Sequence, residues 1–353
     1  MTRTQLRALA GASIAALTLA ACNQQQQQKA AASADYRIYV TNEISGDLTV
    51  IDGNSQAVVA NVKLGKRPRG VKVSLDGRFV YVALSGSPIA PPGTDEDKLP
   101  PPDKSADGIG VLNAATLQLV KVLKNVEDPE QILVSTDGST IYSASQDAQK
   151  ILAIDSQSGA VKQTGDAGKE PEGLGLSPDG KQIYVSSEEG GLVTVFSTAD
   201  LKPLGKFKVG DRPRGIAFSP DGTKAYVSGE ADASLAEIDT AKMTVSRKVS
   251  TPGAGAKPMG VAVAPDGSRI FVAMGRGGEL AAFDAQTLNS VGELAVGARP
   301  WGVAVSPDGA LVYTANGPSG DVSVVDAKTM QLVRKIKADD RPWGVAVGPV
   351  PGQ

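Results

Sequence analysis

The residues with the most chemical capacity in this sequence flank seven spaced prolines. In chain order the flanking pairs are Arg67/Arg69, Asp128/Glu130, Glu170/Glu172, Arg212/Arg214, Lys257/Met259, Arg299/Trp301 and Arg341/Trp343. Arginine offers a planar fork of donors matched to carboxylate and phosphate, and tryptophan offers a broad face for packing or stacking. Arg67, Arg69, Arg299, Trp301, Arg341 and Trp343 therefore suggest a site for a small anionic ligand or a protein partner, with Glu130, Glu172 and Arg214 as a more acidic arc beside it. The opposite reading is structural: Glu172 pairs with Arg214 between repeats, and the tryptophans plug a channel. None of the 353 residues is histidine. That removes Ser-His-Asp and Cys-His nucleophile systems, histidine-ligated haem and most zinc or copper sites. Catalysis would fall to carboxylates such as Glu130, Glu170 and Glu172, which can act as acid or base where burial raises one pKa. No nucleophile stands beside a recognisable base, so no catalytic residue is assigned and no cofactor or metal is expected. A non-enzymatic binding or scaffolding role is the expectation, with a lactonase-like or other hydrolase on the same face as the alternative.

These residues need a scaffold that presents them together, and the repeat supplies it. Pro68, Pro129, Pro171, Pro213, Pro258, Pro300 and Pro342 follow one another at intervals of 61, 42, 42, 45, 42 and 42 residues. In six of the seven an Asp-Gly pair comes eight residues after the proline, from Asp76-Gly77 to Asp308-Gly309. A fixed period near 42 marks a repeat architecture. Within each period four short strand patterns recur. An apolar Gly-Val-Ala-Val type comes first, then a Val-Tyr-Val type after the Asp-Gly turn. A third ends in aspartate, and a fourth alternates polar and apolar residues, as an outer strand with one wet face does. Four strands repeated seven times, with no helical period, predict an all-β, seven-bladed β-propeller over 36–353. The chain opens on a second-type strand, Arg37 to Asn42, and closes on a first-type strand, Gly344 to Val347. The C-terminal strand is therefore expected to complete the first sheet and so remove exposed edges.

Tyr39-Val40-Thr41-Asn42, together with the Ser-Pro-Asp-Gly turns, resembles the bacterial YVTN-repeat β-propellers over residues 36 to about 350. The resemblance implies a seven-bladed propeller that is exported or displayed on the cell surface. It implies little about activity, since members are proposed to bind partners in the envelope or to accompany periplasmic redox enzymes. Related propellers include lactonases, a lyase and the electron-transfer domains of some reductases, and the catalytic or metal-binding histidines found among them have no counterpart here.

Residues 1–22 carry Arg3, Arg7, a short apolar run and the sole cysteine, Cys22. Leu19-Ala20-Ala21-Cys22 reads as a lipoprotein box, which implies cleavage before Cys22 and lipidation of its thiol. Residues 23–35, rich in glutamine, read as a flexible tether. The expected location is the bacterial cell envelope, facing the periplasm or exposed at the cell surface, with lipid as the only membrane attachment. The formal charge is -2. No global field draws such a chain to nucleic acid, and none is expected as a partner. The long first interval holds a proline-rich, acidic insertion at about 85–108, expected to overhang the same mouth as the arginines and to serve as a lid, a docking loop or a solvated decoration.

Overall fold

Each Asp-Gly pair does local work that the backbone makes visible. The glycines Gly77, Gly138, Gly180, Gly222, Gly267 and Gly309 all adopt φ between 68° and 73°, the left-handed region where a side chain is strained. The aspartate closes the turn from its other side. Ser74 Oγ donates to Asp76 Oδ1 at 2.7 Å while accepting from Phe79 N at 3.0 Å, and the Ser177/Asp179 and Ser306/Asp308 turns repeat the pattern. These aspartates are thus hairpin residues.

The structure is a computed structural model that describes residues 35–89, 98–253 and 255–351. Cys22, the segment before it and residues 23–34 of the tether lie outside the described residues, as does the middle of the insertion, 90–97. Tyr36–Gln353 forms one unit of seven four-stranded antiparallel sheets. The blades are numbered by their prolines. Blade one runs Pro68–Val73, Phe79–Leu84, Gly108–Asn113 and Gln118–Leu123 from the axis outward, and the next five blades repeat this order. Blade seven is composite. Its inner strand, Pro342–Pro349, pairs with Tyr36–Asn42, which continues to Asp47–Asp52 and Val58–Lys63. The ring closes as the strand order requires.

The core lies between blades rather than within one. Seven apolar clusters occur among the described residues, one for each pair of neighbouring blades. An aromatic at the centre of each second strand anchors them: Tyr39, Tyr81, Tyr142, Tyr184, Tyr226, Phe271 and Tyr313, all buried. Blades converge so closely at the axis that the second residue after the proline is glycine in six of seven. A Cβ on Gly173 would stand 1.7 Å from the Arg214 carbonyl oxygen, and one on Gly344 would stand 2.4 Å from that of Arg69. A hydroxyl on the second strand ties the junction. Thr41 Oγ1 donates to the Arg69 carbonyl at 2.7 Å and accepts from Gly344 N at 2.8 Å, and Ser186 links Gly173 to Arg214 in the same way. The threonine of Tyr39-Val40-Thr41-Asn42 is therefore a clamp between blades. Its asparagine holds the next turn through Asp47 at 2.8 Å.

Candidate functional site

The loop entering each inner strand ends in an X-Pro step, and the residue before the proline takes a left-handed backbone in six blades. Arg67, Asp128, Glu170, Arg212, Arg299 and Arg341 have φ from 40° to 63°. Such conformations are strained for residues with side chains and persist where surroundings over-determine them. The kink sends the residue before the proline to the outside of the mouth and the residue after it toward the axis. Arg69, Glu130, Glu172, Arg214, Met259, Trp301 and Trp343 thus form an inner ring, with an outer tier above.

The inner ring is internally matched. Arg69 Nη1 contacts Glu130 Oε1, and Arg214 Nη1 lies 2.9 Å from Glu172 Oε2. Trp301 and Trp343 pack with ring centroids 5.4 Å apart and planes tilted by 30°. The guanidinium of Arg69 sits 4.9 Å over Trp343, and that of Arg214 sits 5.6 Å over Trp301. Trp343 is buried and Trp301 half-buried. Rather than standing free on a rim, the two indoles roof the tunnel. They separate a mouth notch of about 100 Å3 from an axial chamber of about 110 Å3.

The outer tier brings in three glutamates that were not singled out in the sequence. Glu43, Glu188 and Glu230 occupy one repeat position, directly after the second strand, and Glu188 and Glu230 stand 42 residues apart. That spacing is the signal that could have found them. Glu43, 5% exposed, accepts from Arg67 Nε at 2.8 Å and also faces Arg341 Nε at 3.3 Å and Arg69 Nε at 3.9 Å. On the far side, Arg214 Nε donates to Glu230 at 2.8 Å, Arg214 also meets Glu188, and Arg212 reaches Glu188 at 2.5 Å.

The mouth is consequently polarised. Blades six, seven and one contribute four guanidinium groups (Arg67, Arg69, Arg299, Arg341), and against them stand Glu43 of blade seven and Glu130 of blade two, a surplus of two positive charges. Arg299 stacks 5.6 Å over Trp301, and among the described residues no carboxylate lies within ion-pair distance of it. Burial lowers its pKa, and the neighbouring Arg341 and Arg276 lower it further, the expected effect of crowded like charges. Burial likewise brings Arg69 down to about 10, with Arg67 adding to it, which leaves it charged near neutrality. Blades three and four carry the reverse balance, with Glu172, Glu188 and Glu230 around Arg212 and Arg214. Burial and then the Glu172 charge push Glu188 up to about 8. Burial also acts to raise Glu172, but Arg214 and Arg69 outweigh it and hold that carboxyl below its ordinary value.

Of the carboxylates considered for acid or base work, Glu130 and Glu172 are each engaged by an arginine, and Glu170 stands half-exposed in the outer tier. Asp128 turns away from the axis to accept from Ser85 of the insertion. The insertion's described part does reach the basic arc. Arg67 Nη1 donates to the carbonyls of Ser87 and Pro88 at 3.2 and 3.3 Å, and Ile89 lines the notch beside Arg299 and Trp301. Among the described residues, no group of three or more acidic, cysteine or histidine side chains is arranged to hold a metal ion.

A model of the YNCE-like β-propeller family matches residues 105–305, from blade one to the inner strand of blade six. No curated protein matches the chain. Among solved structures, Kuenenia stuttgartiensis hydrazine synthase is similar with a TM-score of 0.70 at 20% identity, over 83% of this chain and 92% of that one. A candidate 6-phosphogluconolactonase from Bacteroides fragilis is similar with a TM-score of 0.70 at 20% identity, over 89% and 98%. A functionally unknown protein from Desulfotomaculum acetoxidans reaches a TM-score of 0.73 at 15% identity, over 89% and 99%. At these identities the likeness extends to the fold and no further.

Proposed function

The chain belongs to the YNCE-like β-propeller family, and from that premise we propose that it is a non-enzymatic binding propeller whose mouth takes an anionic group. The observation that carries this reading is the surplus of two positive charges on this side of the mouth, with Arg299 stacked on Trp301 and, among the described residues, no carboxylate within ion-pair distance of it. A volume of about 100 Å3 suits one carboxylate or phosphate head. The body of the ligand or partner would lie outside, against Ile89, Pro318 and the exposed Ile44. Weighing against a lactonase-like hydrolase is the engagement of Glu130 and Glu172 by arginines. In this reading the protein works in the bacterial cell envelope, tethered by lipid on Cys22. Support for that comes from the sequence, in the Leu19-Ala20-Ala21-Cys22 box and the polar segment after it.

Titration with phosphate, citrate and an acidic peptide, followed by tryptophan emission and calorimetry, tests the proposal. Both tryptophans of the chain line the notch, so occupancy should shift their emission. A saturable shift that weakens roughly tenfold in Arg299→Ala supports the reading, since a charge-assisted contact is worth about that much. Absence of any shift or heat with all three probes overturns it.

A further inference from the structure

One repeat position, four residues after the aromatic of the second strand, decides which outer arginines find a partner. Its backbone place is the same in blade after blade. The N–H of Glu43 donates to the Arg341 carbonyl at 2.9 Å, that of Glu188 to the Glu170 carbonyl at 3.1 Å, and that of Gly317 to the Arg299 carbonyl at 3.3 Å. From this place the side chain can reach forward to the residue before the next blade's proline. Glu43 holds Arg67 at 2.8 Å, Ser85 holds Asp128, and Glu188 holds Arg212 at 2.5 Å, whereas Glu230 turns back to Arg214 of its own blade. Blades five and six carry glycine instead, Gly275 and Gly317. The arginines that follow them are Arg299, with no carboxylate within ion-pair distance among the described residues, and Arg341, which turns back to Glu43 at 3.3 Å.

The two glycines differ in kind. A Cβ on Gly275 would stand 2.5 Å from the Lys257 carbonyl oxygen, so packing excludes a side chain there. Gly317 is outside the left-handed region, and a Cβ on it would meet nothing nearer than the Pro342 carbonyl oxygen at 3.5 Å, an ordinary contact. Neither backbone nor packing demands glycine at 317. A longer side chain on it would pass Arg341 Cγ, 3.6 Å from that Cβ, in the notch that Gly317, Pro318, Arg299 and Arg341 line together.

We propose that the notch is an open arginine clasp, and that a ligand's carboxylate on a short methylene stem closes it, standing where the repeat elsewhere puts glutamate. This deepens the anion reading of the mouth and rests on it. Elsewhere in the ring a guanidinium fork is satisfied by a carboxylate of the fold; at Arg341 and Arg299 the fork is offered outward, and its geometry suits the same group. The ligand class is an alkyl carboxylate, either a free acid or the side chain of an acidic residue on a partner protein. Its stem enters past Ile89 and Pro318.

The test uses propionate, whose carbon chain is that of a glutamate side chain, a glutamate tripeptide blocked at both ends, and inorganic phosphate, titrated by calorimetry into the purified full chain. Propionate and the tripeptide should bind the wild type saturably. Gly317→Glu, which supplies the carboxylate from the chain itself, should weaken both roughly tenfold or more. The same variant should unfold at a higher urea concentration than Gly317→Gln, and that difference should disappear when Arg341→Ala is added to both. Gly317→Ala should melt no lower than the wild type, which checks that the backbone accepts a side chain. Tripeptide binding tighter than propionate assigns the carboxylate to a protein partner, and equal or weaker binding assigns it to a free acid; either supports the proposal. Carboxylate binding as tight in Gly317→Glu as in the wild type, equal urea midpoints for the Glu and Gln variants, or a Gly317→Ala that melts below the wild type overturns it. Phosphate binding that weakens in Arg299→Ala, with no binding of propionate or tripeptide, overturns this inference alone. Absence of binding by all three overturns the anion reading of the mouth with it.

Discussion

Glu43 is the hinge of the basic arc, and Glu43→Gln should lower stability while raising affinity for anions. Its carboxylate faces Arg67, Arg69 and Arg341 at 2.8, 3.9 and 3.3 Å. Removing one partner of a fully buried ion pair costs about 3–5 kcal/mol. Here the side chains of Arg67 and Arg341 are 16% and 22% exposed, so water recovers part of that. A loss of about 2–3 kcal/mol follows, read as a lower urea midpoint at unchanged slope. The same substitution raises the surplus on the basic side of the mouth from two positive charges to three. One unit charge about 8 Å from a bound anion is worth about 2 kcal/mol at an effective dielectric of 20 and proportionately less as water enters. Phosphate should therefore bind roughly fivefold more tightly at low salt, with the gain shrinking as salt rises. Calorimetry and urea unfolding on one preparation measure both changes. A variant as stable as the wild type, or one that binds phosphate more weakly, would refute the charge balance drawn for this mouth.

Two further predictions concern the opposite arc and the axis. Glu188 is held near 8, above an ordinary value of 4.5, so between those values the unfolded chain loses a proton that the folded one keeps. Stability contributed by Glu188 is fully present below about pH 4.5 and is lost as pH rises toward 8. Glu188→Gln should remove this slope, and the stability of the variant relative to wild type should grow from pH 5 to pH 8. A constant difference across that window would show that Glu188 ionises normally. At the axis, Gly173→Ala forces a Cβ to 1.7 Å from a backbone carbonyl, and only movement of a whole strand can relieve it. The loss should exceed about 3 kcal/mol. Gly138→Ala, at φ 72° with open space around it, should cost only about 1 kcal/mol of left-handed strain. Equal urea midpoints for the two would remove close blade approach as the reason for the axial glycines.

The propeller was legible in the residues because each of its rules is local. Proline and the following glycine mark entry to an inner strand, Asp-Gly supplies the left-handed turn, and two-residue alternation assigns inner and outer faces, so a period of 42 carries the architecture. Closure was equally legible, since an unpaired first-type strand at one end and its missing place at the other leave one solution. The charge balance of the mouth was not. It depends on Glu43, Glu188 and Glu230, which lie next to a conspicuous strand motif and carry no motif of their own, although two of them repeat at 42 residues. Their partners come from other loops, and in the case of Glu43 and Arg341 from opposite ends of the chain. Which guanidinium group meets which carboxylate, and whether an indole stands on a rim or roofs a tunnel, are settled by how seven sheets converge on an axis. Sequence order controls the hydrogen bonds within a blade; distances of a few ångströms across the axis arise only when all seven close together.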